Sequence, residues 1–354
     1  MKSLPACSNR INRLAAALAV VTAWCAPGGV ARAQSAAQAA EPAVLRLSTS
    51  APEKSGFSAQ FARMVQAVSE ETGGSVRLDI YYGSQLAGDR DAVQQVARGR
   101  IDMTGANITN WSALVPELQL LMLPMYFRSA AEMDCTLSGP ISDEVARRLQ
   151  ARGVRMLRWG DGSTMEMFGK KAFTSPADLA GLKGGAYGSR LGVLMWQALD
   201  ARPTPISTPE LATALQTGLI DVTVTVPIYY VALGLNKIAP VMTRLDLYFS
   251  SSVTAISQAS WDKLTPAQRD GVARAFRRTP AAQSWAETRA AQQRAFDQHV
   301  AGGGQLVVAT PEQRAAFRKV FEPVWPQVAR ESGPDGPSFF DALQAARKAC
   351  ANGS

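Results

Sequence analysis

Residues 205–226 read PISTPELATALQTGLIDVTVTV, and the way this stretch folds decides the class of the chain. Thr208 suits a helix N-cap, because its hydroxyl can satisfy an otherwise orphaned N–H, and Pro209 suits the first turn, where no N–H is needed. Leu211, Ala214 and Leu215 fall on one helical face, and Gly218 marks the stop. The period then changes. Ile220, Val222, Val224 and Val226 alternate with Asp221, Thr223 and Thr225, the two-residue repeat of a strand with one apolar face and one face of threonine hydroxyls. A short amphipathic helix running straight into such a strand is a unit of an α/β layer.

The same alternation recurs toward the N-terminus. Residues 44–47 predict a first strand. Phe57, Phe61, Met64, Val65 and Val68 then predict a helix ended by Gly73-Gly74. Residues 76–82 give a second strand, Asp89 caps a helix carrying Ala92, Val93 and Val96, and residues 101–106 give a third strand ending in Asn107. This β-α-β-α-β order predicts a parallel sheet covered by helices, with ligands off the carboxyl ends of its strands, at residues 48–52 and 107–110. Strands at 154–159 and 164–168 flank a glycine hinge, Gly160-Asp161-Gly162. Ser175-Pro176-Ala177-Asp178 opens a helical turn with the signature of a capping box. Residues 181–188 are glycine-rich but have neither the dinucleotide nor the phosphate-loop spacing. A helix follows from Arg190 to Leu199.

Beyond residue 226, residues 253–257 predict a strand that returns to the first sheet, and the remainder is mostly helical. Thr265-Pro266, Thr279-Pro280 and Thr310-Pro311 repeat the cap-plus-proline opening of Thr208-Pro209, and Pro280 divides one long amphipathic pattern in two. Val307 and Val308 suggest a last short strand and residues 339–350 a terminal helix.

Composition narrows the function. Lys2, Arg10 and Arg13, an apolar run over residues 14–25 and Ala31-Arg32-Ala33 form a secretory signal peptide, with cleavage expected after Ala33. The run is shorter than the ~20 apolar residues of a spanning helix, and no later stretch approaches that length. Removing residues 1–33 of the 354 takes four cations and no acid, so the formal charge of +8 falls to +4. The remaining Lys and Arg are scattered among acids, which argues against nucleic-acid binding. Cys7 and Cys25 leave with the signal. Cys135 and Cys350, alone in an oxidising compartment, are most simply one disulfide, two separate buried thiols being the alternative. His299 is the chain's one histidine, and it sits in a charged helix where a solvated or capping role is expected. No Cys/His metal site can be assembled.

Four blocks, in order, resemble one family along nearly the whole mature chain. They are ETGGSVRLDIYYGSQLAGDRDAVQQVARGRIDMT at 71–104, TSPADLAGLKG at 174–184, ELATALQTGLID at 210–221 and SWDKLTPAQRD at 260–270. Together they resemble the extracytoplasmic solute-binding subunit of a tripartite ATP-independent periplasmic (TRAP) transporter. The resemblance implies a two-lobed periplasmic binding protein fold of class α/β. Each lobe would be a mostly parallel sheet flanked by helices, and the lobes would be joined by crossing strands and a long helix. It places lobe I at 43–162 plus 250–288 and lobe II at 163–249 plus 289–354. It also implies a periplasmic monomer with no cofactor, which closes by its hinge on a small solute and delivers it to membrane subunits.

The resemblance further implies a ligand set of Ser48, Asp89, Asn107, Met165, Thr208 and Thr225, with Tyr187 close by. Each has a local alternative: Asp89 and Thr208 make good helix caps, Thr225 can face a neighbouring strand, and Met165 can be core. The chain departs from the family at its anion-binding positions. Gly185 stands where members carry an arginine that grips a substrate carboxylate, Met165 where many carry a second, and Thr225 where an asparagine is usual. A guanidinium fork in a closed cleft is among the strongest single anchors for a carboxylate, and glycine cannot replace it. Three accounts stay open. An anionic solute is met by Arg190 instead; a neutral or cationic solute, the preferred account, is held by hydroxyls, aromatics and Glu166; or the protein serves sensing. Acid-base chemistry by Asp79 with Asp89, or Asp161 with Glu166, in a periplasmic lyase or hydrolase is the alternative of a different class.

Overall fold

The computed structural model describes residues 41–186 and 190–351, and the statements that follow concern these. Nine strands form a single mixed sheet: β1 (Ala43–Ser48), β2 (Val76–Tyr81), β3 (Met103–Asn107), β4 (Val154–Gly169), β5 (Lys183–Ala186), β6 (Arg202–Pro205), β7 (Val222–Thr225), β8 (Val241–Ser257) and β9 (Gln305–Val308). The order is β2-β1-β3-β8-β4-β7-β5-β6, with β9 beside β8. Pairing is parallel within β2-β1-β3 and within β7-β5-β6, and antiparallel where β8 and β4 join the two groups. The α/β class and the parallel β-α-β-α-β start are therefore as the sequence predicts.

The middle of the sheet differs in one respect from the sequence prediction. The two strands expected on either side of Gly160-Asp161-Gly162 are one sixteen-residue strand, and residues 253–257 are the end of a seventeen-residue one. The glycine segment is a bulge inside β4, with register shifts between Asp161 and Thr164 and between Met165 and Met167. Asp161 (φ 63°) and Gly162 (φ 99°) take the left-handed backbone that the bulge needs. Gly162 also marks a close approach. A Cβ there would lie 2.6 Å from the Trp285 ring, so the long helix Ala281–Ala301 packs directly on the strand.

That helix presents a buried stripe, Ser284, Trp285, Thr288, Ala291, Gln292, Ala295 and His299, at helical spacing. Most of its polar groups are engaged, the Trp285 Nε1 and the His299 Nδ1 being buried without a partner. Gln60 Nε2 donates to Thr288 (2.8 Å), Gln292 Nε2 to Thr164 Oγ1 (2.7 Å), and His299 Nε2 lies 3.0 Å from the Gln305 carbonyl. His299 is buried, contrary to the solvated or capping role expected from its charged neighbours. Capping boxes open Pro176–Leu179, Pro266–Arg277 and Pro311–Phe321, at Ser175, Thr265 and Thr310. Thr279 does not cap; Pro280 is the N-cap and the Thr279 hydroxyl donates to the Phe276 carbonyl. Leu211–Thr217 stops at left-handed Gly218 (φ 70°) as its sequence suggests. The side chain of Thr208 lies outside what the structure describes.

Cys135 and Cys350 are joined, with Cα atoms 5.9 Å apart. None of the described helices is long and apolar enough to cross a membrane.

Candidate functional site

A cavity of about 510 Å³ lies against the middle of the sheet, within the usual range for a small-molecule site. The loops after β1 and β3 line it through Thr49, Ser50, Ala51, Thr109 and Asn110, at the carboxyl ends where parallel strands are expected to present ligands. The helix Ser58–Glu71 contributes Gln60, Phe61 and Met64. From the other parallel group come Gly185, Ala186, Thr225 and, on the helix Arg190–Ala198, Leu191, Met195 and Trp196. Between them β4 supplies Arg158, Gly160, Asp161 and Met165, and β8 supplies Tyr248, Ser250, Ser252 and Thr254.

Of the nine candidate positions, five line this cavity: Asp89, Asn107, Met165, Gly185 and Thr225. Asp89 does not cap its helix, whose N-cap is Gly88. Its carboxylate turns back to the β1 loop instead, accepting from Ser50 N (3.1 Å) and Ser50 Oγ (2.6 Å). Burial nevertheless pushes the Asp89 carboxyl above its usual range. Asn107 caps the short helix Ile108–Trp111 through its Oδ1, and its Nδ2 donates to Ser250 Oγ (3.0 Å). Ser250 in turn donates to Asp161, which also accepts from Ser163 N (3.0 Å) and Ser163 Oγ (2.6 Å). This chain ties the β3 loop to the β4 bulge across β8. Thr225 is buried on β7 opposite Glu166 and opens onto the cavity.

The other four stand elsewhere. Ser48 is fully buried behind the wall; its carbonyl accepts from Thr104 Oγ1 and its own hydroxyl has no partner. Tyr187 falls outside the described residues, as does the side chain of Thr208, although Ser207 and Pro209 on either side line the cavity. Arg190 corrects the expectation made for it. It is paired at the surface with Glu331, its side chain about half exposed, and is not among the cavity residues. Glu166 likewise does not face the cavity. It is fully buried, accepting from Leu245 N (2.7 Å), Asp246 N (2.9 Å) and the Thr164 hydroxyl. Of the acid pairs considered for chemistry, Asp79 is bound by exposed Arg77 away from the cavity.

Gly185 is not a gap left by a missing arginine. A Cβ built there would meet Ile220 at 3.1 Å, Ile206 at 3.2 Å and Thr223 Oγ1 at 3.3 Å, so the neighbours have closed in. Its carbonyl accepts from Trp196 Nε1 (3.0 Å), and a Cβ on the preceding Gly184 would lie 2.2 Å from the Trp196 ring. Tight backbone-to-indole packing thus replaces a charged side chain at this corner.

Two arginines line the cavity, exposed Arg90 beside Asp89 and Arg158, and the enclosed one is Arg158, which sequence reasoning passed over inside a strand. It is 8% exposed. Burial pushes its guanidinium down to about 10 from 12.5, only partly offset by the charge of nearby Glu287. A basic residue in the interior of a strand otherwise rich in Val, Met, Leu and Trp was the available signal. For the β8 wall the signal was Ser250-Ser251-Ser252 followed by Thr254, a run of small polar residues inside a buried strand.

The family model described as bacterial extracellular solute-binding protein, family 7, matches residues 47–332. The C4-dicarboxylate-binding periplasmic protein DctP of Rhodobacter capsulatus is 25% identical over 300 residues, covering 84% of this chain and 89% of that protein. A TRAP periplasmic solute-binding protein from Bradyrhizobium sp. BTAi1, solved in complex with α/β-D-galacturonate, is 25% identical. It superposes with a TM-score of 0.78 over 85% of this chain and 99% of its own. A TRAP periplasmic solute-binding protein from Sulfitobacter sp. NAS-14.1, solved with bound β-D-galacturonate, gives a TM-score of 0.80 at 19% identity, covering 85% and 99%.

Proposed function

The chain belongs to bacterial extracellular solute-binding protein family 7, the solute receptors of TRAP transporters, and from that premise we propose that it captures a small organic solute in the cavity against β4 and β8, without chemical turnover, for delivery to its membrane subunits. One observation carries the reading. The cavity draws its walls from both parallel groups of the sheet, with β4 and β8 running between them, so a bound solute bridges the two halves. We assign lobe I to 43–162 plus 250–288 and lobe II to 163–249 plus 289–354. The β4 bulge at Asp161 to Thr164 and the β8 serines opposite it support a pivot at this boundary. A solute that touches both lobes binds the closed form better than the open one, which is all that hinge closure requires.

Organic acids are the first candidates, because the Bradyrhizobium relative is solved with galacturonate. In this chain the acid would not be held by arginines at positions 165 and 185. Asp89, Asn107, Met165, Gly185 and Thr225 would contact the solute, Tyr187 and Thr208 would complete the same wall, and Phe57, Tyr229 and Trp196 would cover its apolar face.

The test is a thermal-shift and calorimetric screen of the mature chain with hexuronates, C4-dicarboxylates, neutral polyols and amines. A true solute at 100 times its Kd is expected to stabilise the folded state by about 2.7 kcal/mol. Flat melting curves across all four classes, or conversion of a stabilising compound detected by mass spectrometry, would count against the reading. Export is proposed on the same footing. The periplasmic form is expected to start at Gln34, and an intact-mass measurement showing residues 1–33 retained would refute cleavage after Ala33.

A further inference from the structure

Arg158 and Met165 both line the cavity, seven positions apart on β4. At about 3.3 Å per residue that is at most ~23 Å along the strand, with the bulge shortening it. The Arg158 end has its own construction. Arg158 pairs with Thr254 of β8, which pairs with Gly105 of β3, and the helix residues Phe61 and Met64 lie in the same wall. Two glycines line the same region, and only Gly160 is tightly packed. A Cβ at Gly160 would meet Ser252 Oγ at 2.8 Å, and one at Gly105 would come within 3.6 Å of Thr254 Oγ1 and 3.8 Å of Phe61.

The guanidinium is buried with neutral partners. Nη1 donates to the Thr279 carbonyl (3.0 Å) and Nη2 to the Ser284 hydroxyl, while Nε is buried without a partner. Glu287, the acid whose charge it feels, is bonded to Arg63 instead. A buried guanidinium lacking a carboxylate in contact is costly to hold and strongly favours any oxyanion that reaches it.

We propose that Arg158 is a second polar anchor of this site, taking the carboxylate of an elongated, mainly apolar organic acid whose other end lies against Asp89 and Thr225. The proposal rests on the solute-binding reading and names the substrate class for it. Phe61, Met64 and Trp196 line the cavity on the way and suit an aromatic or alkyl body. If Arg158 only tied Thr279 and Ser284 to the sheet, replacing it would lower stability without distinguishing acids from neutral analogues.

The experiment is calorimetric titration of the mature protein with phenylalkanoates of three to six chain carbons, the matching phenylalkanols, and galacturonate. For the wild type, the best phenylalkanoate is expected to bind at least tenfold more tightly than its alcohol. Arg158→Met is expected to remove that preference while leaving alcohol binding within about twofold, and Arg158→Lys to restore part of it. Should Arg158→Met not fold, Gly160→Val tests the same end sterically and is expected to weaken the longest acid at least tenfold. An acid preference that survives Arg158→Met, or acid and alcohol binding equally to the wild type, overturns the anchor. Galacturonate binding with no phenylalkanoate binding also overturns it and leaves the solute-binding reading standing. Failure of these and of the wider solute panel to bind at all would remove the underlying reading as well.

Discussion

Replacing Cys135 and Cys350 together by serine is expected to lower the unfolding free energy by about 2–5 kcal/mol, toward the upper part of that range. The bond closes a loop of 215 positions, and a cross-link over so long a loop removes much conformational freedom from the unfolded chain. It joins the helices Ala130–Ser138 and Gly336–Ala351. The native contacts of the terminal helix outlast the bond. Phe339, Phe340 and Leu343 stay in the core, Arg347 Nε reaches Glu132 at 3.2 Å, and its guanidinium lies over the Tyr126 ring at 4.5 Å. The double variant is therefore expected to fold with an unchanged circular-dichroism spectrum and to unfold at lower urea. A loss below about 1 kcal/mol, in the variant or in reduced wild type, would show that the cross-link contributes little.

Glu166 is expected to give the second large effect, and one with a pH signature. Between Met165 and Met167 of β4, the facing strand β8 advances from Tyr248 to Thr243, so Glu166 alone faces the loop of β8 that bulges there. Its carboxylate accepts the N–H groups of Leu245 and Asp246, and Asp246 sits at a left-handed φ of 47°. Glu166→Ala would orphan both donors and leave a void, a loss expected at roughly 3–5 kcal/mol near pH 4.5 that shrinks as pH rises toward 8 and the wild type itself weakens.

Glu166→Gln keeps the shape and tests the charge. Burial first, and then the charge of Asp246, push the Glu166 carboxyl up to about 8 from 4.5. The folded state thus keeps a proton that the unfolded chain releases above ~4.5, and the stability linked to this group is full below ~4.5 and lost as pH rises toward 8. Against Glu166→Gln, the wild type is expected to lose roughly 3–5 kcal/mol between about pH 4.5 and 8, read by urea unfolding across that range. A difference between the two proteins that stays constant with pH would place the titration of Glu166 outside that window.

How far these features were legible in the sequence depends on whether their cause is local. The helix Leu211–Thr217 and its stop at Gly218, the boxes at Thr265 and Thr310, and the parallel start β1 to β3 follow from spacing and cap chemistry within a few residues. The four sequence blocks carried the family, while the β-α-β-α-β order alone pointed to the segments at 48–52 and 107–110, from which Thr49, Ser50, Ala51, Asn107, Thr109 and Asn110 line the cavity. Asp89 and Thr279 were misplaced as caps because a side chain competent to cap locally can find a better partner in another segment. Asp89 found Ser50, and Thr279 yielded its cap to Pro280.

By itself the sequence determined the α/β layering, the pairing of Cys135 with Cys350 as the simplest outcome, and the family. Only the tertiary structure decided which polar groups face the cavity. Arg190 and Arg158 are equally cationic as letters, yet one is neutralised at the surface by Glu331, 141 positions away, and the other is enclosed beside residues from β3, β8 and two helices. Glu166 and Gly185 changed meaning for the same reason. Burial and partners come from segments distant in the chain, and desolvation then fixes whether a charge is an anchor, a clamp or a surface pair.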